Sequence, residues 1–575
     1  MKTFFLVEIR AGGPSSVPHS PVKFCGSFVG IRTMDNQPLS DSPPLSPYEL
    51  LVQALSLIPV HHYVFALLLV WFVFLYNFLE FHLFEDLILG RFSGRVNLTY
   101  NPDSPVYNGV VARCRILLGR YATTPWLSSP HIQTCFLNFF GRPPVFNYRR
   151  QIFRTSDGGT IALDWLTSSD VVDDAPRKHN EIRKDDTTPI AVVVPGLSSD
   201  SSAAYLKHLA YSVAKAGWNV VVSNHRGLGG VSVTSDIFYN AGWTEDIRVI
   251  VDYLHHEYPM APLFTIGTSV GANILVKYLG EEGEKTPVAG AVAICSPWDL
   301  LISDRFICRG LVQKLYGRAL TIGLQGYAQL HEPQISRLAN WEGIKKSRSI
   351  RDFDHHATIH IGNFETVDTF YRRSSSAQYV RNVSVPLLCI SALDDPLCTK
   401  EAIPWDECRA NKNVVLATTK HGGHLAFFQG FTAPSLWWVH ATNEFLGVLS
   451  CSRYMHLPKK AKGTEVASPR EPSINQGPYL NVAEDGMVAA VTYDQDAETL
   501  QLETKHSSEP KPEDVPFLHT KCSASRRFKE VSRWRSRRST WLLGYIAVVA
   551  SFPMLGFVLN YVFRKKRRSV PKLLR

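Results

Sequence analysis

Gly267-Thr268-Ser269-Val270-Gly271 sets a serine between two glycines. The pentapeptide follows the apolar run Pro262-Leu263-Phe264-Thr265-Ile266 and precedes the helix-like stretch Ala272-Asn273-Ile274-Leu275-Val276-Lys277-Tyr278-Leu279. Strand, sharp turn and helix in that order push a serine hydroxyl out as a nucleophile, and glycine on both sides is a steric requirement of so tight a turn. A neutral serine is a weak nucleophile, so it needs a base, and the base needs a group to orient it. Downstream, the apolar run 385–390 leads into Ser391-Ala392-Leu393-Asp394-Asp395-Pro396-Leu397, and the run 413–417 leads into His421-Gly422-Gly423-His424-Leu425. An acid and a histidine thus each sit just past a strand, with room for one helix and one strand between them.

Asp394 and Asp395 are both candidates for the orienting acid. Of the histidines, His424 follows the Gly-Gly pair that can bend it back toward a serine, whereas His421 reads as a loop residue. No further Cys, His or carboxylate follows this pair at metal-ligand spacing, so a zinc site is not expected. The buried-strand pattern 190–194 runs into Pro195-Gly196-Leu197-Ser198-Ser199-Asp200, whose glycine would let a backbone amide point inward. Gly227-Leu228-Gly229-Gly230 lacks the spacing and the following acid of a dinucleotide fingerprint.

With these residues in view, residues of roughly 130 to 450 resemble the α/β-hydrolase branch that groups plant embryogenesis-associated hydrolases with fungal and mammalian membrane-linked lipid esterases. Beyond Ser269, the acid and His424, the matching stretches are Pro130-His131-Ile132-Gln133-Thr134, Asp157-Gly158-Gly159-Thr160, Asn224-His225-Arg226-Gly227-Leu228-Gly229-Gly230, Ala241-Gly242-Trp243-Thr244-Glu245-Asp246, and Phe353-Asp354 with Tyr371-Arg372-Arg373-Ser374-Ser375. The resemblance implies a mostly parallel sheet flanked by helices, with a helical lid insertion at about 298–380. It implies the chain order Ser269, Asp395, His424, because Pro396-Leu397 after Asp395 matches the usual sequence after the acid and leaves Asp394 as a turn former. It also implies an oxyanion hole from the Val270 and Leu197 amides. Arg226 is expected to brace neighbouring loops rather than bind an anion. His356 and His360, four apart, fall in the segment returning from the lid and are expected to be core or surface residues. One departure is the first core loop, where Pro195 and Ser198-Ser199 replace the branch's frequent His-Gly-Leu-Thr-Gly.

The remaining sequence describes the surroundings of this unit. At 575 residues the chain exceeds one compact domain, and ten scattered cysteines give no disulfide framework. Residues 60–78 carry no Asp, Glu, Lys or Arg and approach the roughly 20 residues of a spanning helix. A membrane helix is therefore placed at 55–80 around this run, expected to span the membrane, with an interfacial helix as the alternative. Residues 1–50 are expected to be disordered or a targeting segment. Glu8 is the one acid before Asp35, a composition compatible with a plastid or mitochondrial transit peptide. The hydrolase unit is placed at 95–450, with apolar positions Leu311, Leu315, Leu320 and Leu324 at helical spacing in the lid and a final helix near 435–449. A disordered linker is expected at 452–525, a second spanning run at 541–563 and a basic tail at 564–575.

Seven Lys/Arg residues precede the second apolar run and seven follow it, so charge gives no orientation. The formal net charge of +10 is read as attraction to anionic lipid head groups, since no nucleic-acid recognition module accompanies it. Together these features predict a membrane-anchored serine hydrolase of lipid carboxylic esters (monoacylglycerol, medium-chain ester or phospholipid). It is expected to need no cofactor or metal and to reside in the endoplasmic reticulum or a plastid. An ester-forming acyltransferase uses the same residues up to deacylation, and a non-catalytic lipid receptor is the third reading.

Overall fold

The computed structural model describes residues 46–82, 93–171, 182–457 and two short strands beyond them. Compact units fall at Met1–Trp71 and Phe72–Arg575. In the first part of the chain, helix α1 (Pro47–Leu57) carries a capping box from Ser46 and Glu49. Helix α2 (Val60–Phe78) follows and is, among the described residues, the one helix long and apolar enough to cross a membrane. Its bounds coincide with the charge-free run. Phe65, Leu67 and Val70 on it are all more than 60% exposed, so that run finds no protein core. The run 541–563, the basic tail, the start of the chain and most of the linker lie outside the described residues. Within the stretch expected to be a linker, Leu480–Val482 pairs antiparallel with Val488–Ala490.

The second unit is built on a nine-stranded sheet. Its strands are β1 (Asn97–Tyr100), β2 (Arg149–Arg154), β3 (Thr160–Leu166), β4 (Ile190–Val194), β5 (Asn219–Ser223), β6 (Leu263–Thr268), β7 (Val288–Ile294), β8 (Leu387–Ala392) and β9 (Val414–Thr419). They lie in the order β1-β9-β8-β7-β6-β4-β5-β3-β2. The six strands from β9 to β5 run parallel, and β1, β2 and β3 are antiparallel additions at the two edges.

Alternation explains why the central strands are apolar throughout. Ala191, Val193, Phe264, Ile266, Leu388 and Ile390 face one core. Ile190, Val192, Leu263, Leu387 and Cys389 face the other. Helices α3 (Ala204–Lys215) and α4 (Trp437–Ser450) close the first core, and α5 (Glu245–Glu257) and α6 (Val270–Glu282) close the second. Such two-sided burial is the rule for parallel sheets.

Between β7 and β8 the chain leaves the sheet for a run of helices that includes α7 (Leu300–Ile307), α8 (Leu311–Leu330), α9 (Ile350–His356) and α10 (Val367–Ser374). Leu324, Tyr327 and Phe353 from this insertion bury against Leu228, Phe238 and Tyr239 of the loop after β5. Leu311, counted above on the apolar face, is 67% exposed and starts the helix without packing into it. The final helix begins at Trp437 rather than 435, because Ser435–Leu436 pairs instead with Phe428–Gln429.

Candidate active site

Ser269 sits at the carboxyl end of β6, where the chain turns sharply into α6. Its backbone is left-handed (φ 53°, ψ −124°), a strain a non-glycine residue accepts only where its surroundings enforce it. The flanking glycines are steric necessities. A Cβ on Gly271 would lie 2.3 Å from the carbonyl oxygens of Val194 and Pro195, and one on Gly267 would lie 2.6 Å from Ala272 Cα. The Ser269 amide donates to Ile294 O at 2.8 Å, which fixes the turn to the end of β7.

Two loops from strands farther along the sheet meet this serine. His424 Nε2 lies 3.1 Å from Ser269 Oγ, and His424 Nδ1 lies 2.9 Å from Asp395 Oδ2. Asp395 is held from below: its Oδ1 accepts the Leu397 amide at 2.8 Å and the Cys398 amide at 2.9 Å. Two amide donors on one oxygen fix the carboxylate in place and leave the other oxygen for an imidazole N–H. The stretch from Pro130 to Thr134 anchors the histidine loop. Thr134 Oγ1 accepts the His424 amide at 3.0 Å, and a Cβ on Gly423 (φ +58°) would strike Pro130 O. The arrangement can move the Ser269 proton to Nε2 while Nδ1–H stays on Asp395.

The loop after β4 lies over the serine because β4 and β6 are neighbours at the point where strand order reverses. A Cβ on Gly196 would come within 3.2 Å of Ser269 Cβ. The Gly196 amide donates to Tyr205 Oη and the Ser198 amide to Tyr239 Oη, each at 3.1 Å. Among the described residues the amides of Leu197 and Val270 donate to no protein acceptor. Two donors are therefore left near the serine, as an oxyanion requires.

His225 supports this loop. It donates from Nε2 to Pro195 O at 2.9 Å, and its ring stacks on Tyr239 with centroids 4.3 Å apart. Burial pushes the His225 pKa below its ordinary 6.5, so the ring is neutral. Arg226 points away from the serine and pairs with Asp157 and Asp246. Burial raises the Asp157 carboxyl, and the hydrogen bonds from Arg226 and Thr155 more than reverse this, leaving it below the usual carboxylate range. Three of the matching stretches thus form one bracing cluster.

The insertion returns in the same way. Tyr371 Oη donates to Asp354 Oδ2 at 2.8 Å, and Asn273 on α6 donates to Ser374 O at 2.7 Å and accepts the Ser376 amide at 3.0 Å. Burial, opposed by Thr358 and Tyr371, raises the Asp354 carboxyl to about 6. His360 makes no ligand pair with His356, whose ring lies instead against His355. The serine opens into a cavity of about 640 Å³ whose wall includes Leu197, Tyr239, Leu300, Leu320, Leu324 and Phe353. That volume suits a small ligand.

Asp394 lies in the turn after β8 and His421 in the loop after β9, and the two also meet: Asp394 Oδ1 accepts the Gly423 amide at 3.0 Å and its Oδ2 lies 3.3 Å from Nδ1 of the buried His421. The sequence also gave no signal for Tyr205, Tyr239 or the thiol of Cys295. Donor atoms of Cys295, Asp395 and His424 lie within 4.8 Å of one another. Burial and then the Asp395 charge push the Cys295 thiol well up.

Residues 186–428 match the family described as serine aminopeptidase, S33. The chain is 34% identical over 365 residues to the embryogenesis-associated protein EMB8 of Picea glauca, covering 62% of this chain and 79% of that protein. It is 31% identical over 320 residues to phospholipase ABHD3 of Mus musculus (55% and 75% covered). It is 25% identical over 356 residues to monoacylglycerol lipase of Saccharomyces cerevisiae (56% and 79% covered). The strand order, the strained serine turn and these alignments agree: the chain belongs to the α/β-hydrolase family, with the plant embryogenesis-associated protein among its relatives.

Proposed function

We propose that the protein is a carboxylic ester hydrolase acting on lipid esters through an acyl-enzyme on Ser269. Ser269 Oγ attacks the ester carbonyl as its proton passes to His424 Nε2, and Asp395 holds the imidazole in the reactive tautomer. The Leu197 and Val270 amides take the oxyanion. As the intermediate collapses, His424 returns the proton to the departing alcohol. Water then attacks the acyl carbonyl as its proton passes to His424 Nε2, and His424 returns that proton to Ser269 Oγ as the acid leaves. The observation that carries this reading is the continuous set of contacts from Asp395 through His424 to Ser269 Oγ, with the Leu197 and Val270 amides left free beside it. Lipid esters are favoured by the apolar cavity wall and by relatives named as a phospholipase and a monoacylglycerol lipase. In this reading the helices from Leu300 to Ser374 act as a lid, and Val60–Phe78 anchors the enzyme in a membrane.

The test is Ser269→Ala in the full chain. It should lower turnover of p-nitrophenyl butyrate by several orders of magnitude and abolish labelling by a fluorophosphonate. Labelling that survives the substitution would remove Ser269 from the mechanism. An alcohol could capture the same acyl-enzyme, so lipid profiling with active and Ser269→Ala protein separates hydrolysis (an ester class accumulates in the mutant) from synthesis (an ester class is lost).

A further inference from the structure

The insertion places three cations on the cavity wall, with Asp352 beside them accepting the Arg348 amide at 3.0 Å. Lys314 and Arg318 are one turn apart on α8, and Arg348 lies on the segment leading into α9; all three line the cavity that holds Ser269. Arg318 Nη1 donates to Ser347 O, which ties it to the backbone just before Arg348. Among the described residues no carboxylate forms an ion pair with any of the three. Asp304, the acid lining the same entrance, is held by Arg351 at 3.0 Å. Asp354 is deeper and accepts from Thr358 and Tyr371.

Like charges four apart on a helix destabilise it, and a third cation adds to the repulsion. A neutral acyl ester would relieve none of this. A phosphate would: guanidinium groups bind its oxygens in forks, and an ammonium adds a compact charge. Apolar walls behind the cluster exclude water from one side and strengthen such contacts.

We infer that Lys314, Arg318 and Arg348 form a phosphate-binding site at the entrance to the Ser269 cavity, which selects glycerophospholipid esters over neutral acylglycerols. The inference rests on the reading of Ser269 as nucleophile. The phosphate is either that of the substrate itself or that of a neighbouring lipid in the bilayer from which the substrate comes.

The experiment compares kcat/KM of the full-length protein and its Lys314→Gln/Arg348→Gln variant on dihexanoyl phosphatidylcholine below its micellar concentration and on monohexanoylglycerol. Both substituted side chains are solvent-exposed, so the variant should fold. The expected result is a fall in the phospholipid-to-acylglycerol ratio of roughly tenfold or more, expressed in KM. Arg348→Lys should fall between wild type and the double variant. A ratio unchanged in solution but lowered on phosphatidylglycerol vesicles assigns the site to the neighbouring lipid's phosphate. A ratio unchanged in both settings, or equal losses on both esters, overturns the site. Ser269→Ala distinguishes the two layers: if it hydrolyses both esters like wild type, the nucleophile assignment has failed, whatever the cations do.

Discussion

Two aspartate–histidine pairs stand side by side on the same two loops, yet only one is equipped for proton transfer. Asp395 and His424 meet at 2.9 Å, and the far nitrogen of His424 lies on Ser269 Oγ. Asp394 and His421 meet at 3.3 Å, with the other Asp394 oxygen occupied by the Gly423 amide and the His421 ring against His82 at 5.1 Å. Both histidine side chains are at most 10% exposed. Burial and an acid partner therefore do not make a general base. What matters is where the second nitrogen points, and here the loop after β9 aims one imidazole at Ser269 and sets the other against His82, in the segment after α2.

The sharpest way to break this comparison is to neutralise each acid in turn. Asp395→Asn should lower kcat on a soluble ester by roughly 10³–10⁴-fold, since the imidazole loses its orienting acceptor. Asp394→Asn should change it by less than about tenfold, and its main effect should be a loss of about 1–3 kcal/mol in unfolding free energy from the altered Gly423 and His421 contacts. Urea unfolding together with ester kinetics on both variants measures the contrast. A reversed order would transfer the orienting role to Asp394.

A smaller effect is expected at the shared support. Thr134→Val keeps the side-chain shape but leaves the His424 amide without its acceptor, so kcat should fall by up to roughly 10²-fold through misplacement of the ring. If the relay tolerates this substitution with unchanged kcat, the loop is held by Asp394 and Gly423 rather than by Thr134, and the second pair gains a positioning role.

The smallest effect concerns pH and a third histidine, His225. Its pKa is lowered by burial from 6.5, so the unfolded chain takes up this proton more readily than the folded one. The stability it contributes is complete above about pH 6.5 and is lost as pH falls below that value. The difference in unfolding free energy between wild type and His225→Asn should thus be constant from about pH 7 to 8 and shrink toward pH 5. Asp354, raised to about 6, acts in the opposite direction in both proteins and cancels from the difference. A difference that grows on acidification would mean that His225 is charged in the fold.

Much of the site could be read in the chain because its constraints are local. The glycines around Ser269 answer to atoms within a few residues or on the adjoining strand, and Gly422 answers to the same kind of crowding from Phe427 and Ala392. The strand pattern 190–194 is a continuous apolar run because both faces of a parallel sheet are covered, and it reappears as β4 with unchanged bounds. The edge strands β1 and β2 left no comparable signal. Asn97–Tyr100 and Arg149–Arg154 face the core on one side at most; β1 pairs with β9, which is remote in sequence, whereas β2 pairs antiparallel with β3, the next strand in the chain.

By itself, then, the sequence singled out a serine between glycines and an acid and a histidine each just past a strand, the charge-free run from Val60 to Phe78 and a segment of helical spacing between β7 and β8, since each rests on side-chain type and short-range spacing. Tertiary structure alone decided which aspartate serves which histidine. A one-residue step along the β8 loop moves the carboxylate to the other side of the chain, and only the position of β9 says which side faces Ser269. It also decided that Tyr205 and Tyr239 occupy the Gly196 and Ser198 amides, leaving the Leu197 and Val270 donors free, and that Lys314, Arg318 and Arg348 converge on one entrance. Those contacts join residues separated by one strand, one helix or a whole insertion. Their geometry is set by how the layers pack and not by any neighbour in the chain.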